Sequence, residues 1–211
     1  MSSNGRFLAF EGLDGSGKST LIKGLESELS ARSIPYVISR EPGGTDLGIE
    51  IRQMLLRVKG DAPVPRSEAL LYQADRAQHV EKLIKPALAG GKWVFSDRFA
   101  ASSVAFQAAG RAIDIRDIHW LNKFSTGGLQ PDLYVLLDLT VEESMKRLEG
   151  RGEEADRFER EAKEFHQKVR EAYLALAKQD PARWLVLSAA EKPVALREKV
   201  LSRLKEAQWL A

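Results

Sequence analysis

Short runs of Val, Ile, Leu and Phe alternate along this chain with longer stretches whose apolar residues recur every three or four positions. The short runs, over residues 7–11, 36–39, 92–96, 133–138 and 184–187, read as strands and the stretches between them as helices. This is the βαβ rhythm of a parallel sheet with helices on both faces. In the stretch 18–32, Leu21, Ile22, Leu25 and Leu29 form a core stripe, and Pro35 ends it. A helix over 46–58 and a connector over 60–65 come next. A long helix is then expected over 67–88, with Ser67 as its N-cap and Gly90-Gly91 as its stop. Its apolar residues cover more than one narrow stripe, which suits two packing partners. Further helices are expected over 100–108, 115–126 and 141–148. Another runs to residue 178 with Phe158, Phe165, Val169, Tyr173 and Leu176 on its apolar face, and an amphipathic helix follows Pro193.

Composition narrows the class. With 211 residues, 44% of them hydrophobic, the chain suits one α/β domain with a full-sized core. Thirty-two Lys and Arg against 30 Asp and Glu leave a net charge of +2, so no global basic field recruits nucleic acid or an anionic membrane. There is no Cys, which excludes a disulfide framework, a thiol nucleophile and a cysteine metal site. The start, Met1 to Gly5, lacks a basic region and an apolar leader, and no apolar run approaches a membrane span. A soluble, cytoplasmic protein is the expectation.

The first strand runs into Glu11-Gly12-Leu13-Asp14-Gly15-Ser16-Gly17-Lys18-Ser19-Thr20, where Gly12, Gly17, Lys18 and Ser19 fit the phosphate-loop pattern. Glycines let backbone N–H groups converge on phosphate oxygens, and the helix start adds its positive dipole end. Lys18 reaches the β- and γ-phosphates, and the Ser19 hydroxyl is a Mg²⁺ ligand in such loops. A dinucleotide fingerprint fails because Thr20 stands where its last Gly belongs.

The loop implies a nucleoside triphosphate and leaves the acceptor open. A regulatory GTPase is disfavoured because Asn122-Lys123-Phe124-Ser125 has Ser where guanine reading needs Asp. A motor or transporter ATPase would need partner modules for which 211 residues leave little room. A small-molecule kinase remains. Arg40 and Arg98 each follow a strand whose end flanks the phosphate loop, and Arg76, Arg147, Arg151 and Arg157 supply further guanidinium groups. Residues 149–157, with two glycines among charges, read as a short lid. An acceptor that is itself a phosphate monoester is largely ionised at neutral pH and needs no general base. The demand is then for cations that hold two anions together.

These motifs, together with Arg40-Glu41-Pro42-Gly43-Gly44-Thr45, Tyr72-Gln73-Ala74-Asp75-Arg76, Asp97-Arg98-Phe99 and Asp156-Arg157-Phe158-Glu159, resemble those of the bacterial thymidylate kinases over nearly the whole chain. The resemblance implies a three-layer P-loop NTPase fold with a five-stranded parallel sheet, Mg²⁺-dependent transfer from ATP to dTMP, and a homodimer, with the helix over 67–88 as a candidate surface. By the same resemblance Arg40, Arg98 and Pro42 meet dTMP, Tyr72 stacks on thymine, Arg76 bonds its O4, and Ser103 and Gln107 meet the base edge. Asp14 lies near the sugar or a Mg²⁺-bound water, and Asp97 supports the metal's water shell. Two departures stand out. Phe106 occupies a position where many relatives have Tyr bordering the ribose 2′-carbon. Gly15 stands where some eukaryotic relatives carry a loop arginine, which passes the covering of the transferred phosphoryl to the lid, to Arg151 first and Arg157 second. Arg147 and the loop 188–193 are expected at adenine.

Overall fold

The computed structural model describes residues 5–57, 60–152 and 154–210. Strands β1 (Phe7–Glu11), β2 (Tyr36–Arg40), β3 (Trp93–Asp97), β4 (Leu133–Asp138) and β5 (Trp184–Ser188) form one sheet in the order β2-β3-β1-β4-β5. Every pairing is parallel. All five residues of β1 are buried, because a central parallel strand is covered on both faces. Its side chains alternate across the sheet: Leu8 and Phe10 face α1 (Lys18–Ala31) and α9 (Pro193–Glu206), while Phe7 and Ala9 face Val80, Ile84 and Phe99. The predicted stripe of α1 meets Leu196, Val200, Leu201 and Leu204 of α9. Burying each such side chain contributes roughly 1.5–3 kcal/mol.

The remaining helices are α2 (Asp46–Leu56), α3 (Pro65–His79), α4 (Lys85–Ala89), α5 (Ala100–Ser103), α6 (Ile115–Thr126), α7 (Val141–Glu149) and α8 (Lys163–Gln179). Several boundaries correct the sequence reading. Helix α3 begins at Pro65, two residues early: Val64 is the N-cap, and Ser67 lies inside the first turn. Proline's missing N–H costs nothing at a first turn, and its fixed φ suits it there. The long helix expected over 67–88 is interrupted by a π-helical segment, Val80–Ile84. Pro86 supplies the reason, since it has no N–H and its ring crowds the Lys82 carbonyl inside that segment. A second π-helical segment, Val104–Gly110, replaces most of the helix expected over 100–108. Helix α1 ends at Ala31, before Pro35, where Ser33 turns the chain at φ 54°. Phe158 lies in a turn ahead of α8, not on it, yet reaches the same apolar cluster. The expected end of α2 at Val58, the start Met1–Asn4 and Glu153 of the expected lid fall outside the described residues.

With β3 and β4 on opposite sides of β1, chains leaving β1 and β3 at their C-terminal ends border a crevice, where open α/β sheets take ligands. The phosphate loop and Arg98 both leave the sheet there.

Candidate active site

Gly12 opens the phosphate loop with φ 135°, and a Cβ there would lie 2.5 Å from the Leu137 carbonyl oxygen, so neither backbone nor space admits a larger residue. Gly17 precedes the first turn of α1, whose N–H groups open on the cleft. Lys18 is buried, and its ammonium donates to the carbonyls of Gly12 at 3.3 Å and Leu13 at 3.1 Å. Burial, and then Arg98, lower its pKa. The Leu13 side chain belongs to the core, so only its backbone can serve a ligand.

Around this loop opens a cleft of about 590 Å³, lined by Asp14, Gly15, Lys18, Ser19, Arg40 and Arg151 among others, with Thr20, Asp97 and Arg98 also on its wall. Ser19 donates a 3.3 Å hydrogen bond to Asp97 Oδ2. Two oxygen donors beside a phosphate loop fit Mg²⁺, which takes one or two protein oxygens and completes its shell with water and phosphate. Among the described residues no group of three carboxylate, His or Cys side chains forms a cage of its own.

Arg98 joins this cleft to a second chamber. Its backbone sits at φ 73°, rare for a residue with a side chain, and its guanidinium donates to Gly12 O at 2.9 Å, Tyr173 Oη at 3.1 Å and Asp14 Oδ1 at 2.7 Å. It also lies 5.0 Å from the Phe106 ring centre. Burial opposes ionisation of Asp14, but Arg98 and Lys18 outweigh it and bring the carboxyl to about 2. Glu11, at the end of β1, accepts from the Phe99 N–H, Ser102 and Tyr173, and burial raises its pKa. Tyr173 and Ser102 thereby connect the strand end to Arg98.

The second chamber is lined by Asp14, Pro42, Tyr72, Arg76, Arg98, Phe106 and Gln107, with Glu41, Arg52 and Asp156. Its volume is about 70 Å³, and it shares Asp14, Glu41, Arg52, Arg98 and Asp156 with the wall of the larger cleft. Tyr72 meets Phe158 edge-on at 6.0 Å, and Phe158 also meets Phe106 at 5.9 Å. Arg76 is almost wholly buried and donates to Glu41, Gln73, Ser103, Asn122 and the Phe99 carbonyl at 2.8–3.2 Å. Ser103 stands behind Arg76 and does not line the chamber. Arg40 is exposed and faces the phosphate-loop cleft.

The three arginines in and beside residues 149–157 divide. Arg147 donates to the carbonyls of Gly15 at 3.3 Å and Ala189 at 3.0 Å, bridging the phosphate loop and the 188–193 loop. Arg151 bonds both oxygens of Glu159 at 3.0 Å and lines the cleft. Arg157 instead turns away from the phosphate loop, donating to Leu55 O at 2.9 Å and Glu68 Oε2 at 2.7 Å. Sequence reasoning passed over Arg52, which lines both chambers and donates to Pro42 O at 3.1 Å. It sits on α2 outside any motif, so nothing in its neighbours marks it. Glu41 was legible only as part of a motif; its carboxylate holds Arg76 at 2.8 Å and His79 at 2.9 Å.

The family profile described as thymidylate kinase matches residues 10–200. A protein named thymidylate kinase from Bdellovibrio bacteriovorus is 55% identical over 209 residues, covering 97% of this chain and 98% of that protein. Those of the same name from Pelotomaculum thermopropionicum and Carboxydothermus hydrogenoformans are 46% and 48% identical, covering 96% and 90% of this chain and 94% and 91% of their own lengths.

Proposed function

This chain belongs to the thymidylate kinase family, from which we infer that it transfers the γ-phosphoryl group of ATP to dTMP, giving dTDP and ADP. The observation that carries the reading is Arg98, which lines the phosphate-loop cleft and the aromatic chamber together. A guanidinium at that junction can hold the acceptor phosphate against the group being transferred.

In this reading ATP lies on the loop Gly12-Leu13-Asp14-Gly15-Ser16-Gly17-Lys18-Ser19-Thr20, with Arg147 against adenine. Lys18 leaves its own loop carbonyls for the β- and γ-phosphates. Ser19 and Asp97 would hold Mg²⁺, which when bound would supply neutralisation of the phosphate charge. Arg40 and Arg98 hold the dTMP phosphate, Pro42 and Tyr72 flank thymine, Arg76 and Gln107 address its polar edge, and Ser103 keeps Arg76 in place. Phe106 borders the sugar. The ionised dTMP oxygen attacks the γ-phosphorus as the β–γ bond breaks, so no residue need remove a proton. Catalysis is positioning and charge neutralisation by Lys18, Arg98 and Arg151, with Asp14 orienting Arg98.

The reading extends to one domain with a lid over 149–157, a cytoplasmic location and a homodimer. No helix among the described residues is long and apolar enough to cross a membrane. The dimer is supported by Ile115, Trp120 and Phe124 on α6 and Leu70 on α3, all at least half exposed, with Trp120 and Phe124 stacked at 5.6 Å. Helix α3 packs against both α6 and α2, and exposed apolar side chains of this kind mark interaction surfaces. Sedimentation should give twice the chain mass, and Trp120→Glu should give a monomer. The activity is tested by coupled ADP release with dTMP, dUMP, UMP, CMP, AMP and GMP. Stimulation greatest with dTMP is expected, and no acceptor-stimulated rate would overturn the reading.

A further inference from the structure

Glu68, on α3, is fully buried and receives donors from three directions. Gln107 Nε2 donates to Oε1 at 2.9 Å, Arg111 Nε to Oε2 at 3.1 Å, and Arg157 Nη2 to Oε2 at 2.7 Å. Arg111 also reaches Oε1 at 3.3 Å. A carboxylate flanked by two guanidinium groups only accepts, so Gln107 must turn its amide nitrogen toward Glu68 and its amide oxygen away. That oxygen has no hydrogen-bond donor among the described residues, and Gln107 lines the aromatic chamber. We propose that Glu68 is a positioning residue whose carboxylate fixes the Gln107 amide so that the chamber presents an acceptor to the substrate base, selecting pyrimidines that carry N3–H. This deepens the functional reading above and rests on the aromatic chamber being the acceptor site.

Thymine and uracil carry a hydrogen on N3; cytosine N3 is bare and is itself an acceptor. An acceptor facing an acceptor leaves both unpaired in a buried site, which is where discrimination comes from. The arrangement makes an unusual demand of a conservative substitution. In Glu68→Gln the new amide must keep its oxygen toward Arg157, which can only donate. Its NH₂ then faces Gln107, and Gln107 must turn over and present its own NH₂ to the chamber. The site changes from acceptor to donor with little change of shape.

The test is kcat/KM for dTMP, dUMP and dCMP in the wild type and three variants, with Tm measured alongside. For Glu68→Gln, dTMP and dUMP should fall together while the dCMP-to-dTMP ratio rises at least ~10-fold. Adding Gln107→Glu to that variant restores an acceptor at position 107 and should return the ratio toward the wild-type value. Glu68→Asp keeps the charge between Arg111 and Arg157 but withdraws from Gln107, so its ratio should rise by less. If the folded Glu68→Gln variant loses all three activities in proportion, Glu68 is a structural support alone and the proposal fails. If Glu68→Gln does not fold, Glu68→Asp decides, and an unchanged ratio there overturns it. A wild type that phosphorylates none of the three would instead refute the assignment of the chamber.

Discussion

Arg98 is held in the left-handed backbone region at φ 73°, a conformation that costs a non-glycine residue on the order of 1 kcal/mol or more. The cost is met by its bonds to Gly12, Asp14 and Tyr173. Lysine cannot reproduce that planar set of donors, so Arg98→Lys should lower kcat/KM for dTMP by ~10² or more while the fold persists. Steady-state kinetics with circular dichroism check this, and a loss under tenfold would remove Arg98 from the reacting groups. Asp75 shows the opposite electrostatics. Its Oδ1 accepts from the Gly43 N–H at 3.0 Å, and its buried Oδ2 has no partner among the described residues. Burial, and then Glu41, raise its pKa from 3.8 to about 6. A carboxyl whose folded pKa is raised stabilises the fold below its unfolded pKa, and that contribution disappears as pH rises through about 6. Asp75→Asn has no proton to lose. Its stability relative to the wild type should therefore improve by on the order of 1–3 kcal/mol between pH 4 and 7 in urea titrations. A pH-independent difference would show that Asp75 does not titrate in this window.

Among the elements, α2 ties the acceptor loop to α3. A Cβ at Gly48 would lie 2.3 Å from Asp75 Oδ1, so a larger residue there must push aside the carboxylate that accepts from the Gly43 N–H. Gly48→Ala should displace the Asp75 carboxylate from the Gly43 N–H, cost ~1–3 kcal/mol, and raise KM for dTMP more than for ATP, because Pro42 and Arg52 border the same chamber. Equal changes in the two KM values would detach α2 from the acceptor site. How far such elements were legible follows from their physics. The strands were readable because a parallel sheet buries both faces and leaves continuous apolar runs such as Phe7 to Phe10. The phosphate loop was readable because its glycines and lysine are fixed by local backbone chemistry. The π-helical segments were not, since their apolar spacing resembles that of an α-helix, and only Pro86 hinted at the first. Nor were Glu68, whose partners lie far along the chain, and Arg52, which reaches back to the Pro42 carbonyl from outside any motif.

At the scale of the whole molecule, the division between Arg151 and Arg157 determines what the proposed lid contributes. Arg157 is anchored at Leu55 and Glu68, against α2 and α3, and its guanidinium lies 4.4 Å from the Phe158 ring centre. Those contacts make it a clasp between the lid's end and the acceptor chamber. Arg151 shares the cleft wall with Lys18 and Asp97, on a stretch bounded by Gly150 and Gly152. The phosphate loop has glycine at position 15, and in the proposed reading Arg151 is the side chain that would cover the transferring group as the lid closes. A charge that engages only then acts mainly in the transition state. Arg151→Ala should thus lower kcat by at least ~10², with calorimetric dTMP affinity nearly unchanged. Arg157→Ala should leave Glu68 short of a donor, lower Tm and weaken dTMP binding, with the smaller effect on kcat. If Arg157→Ala alone slows turnover, or if Arg151→Ala mainly weakens dTMP binding, the catalytic and clasping roles are reversed.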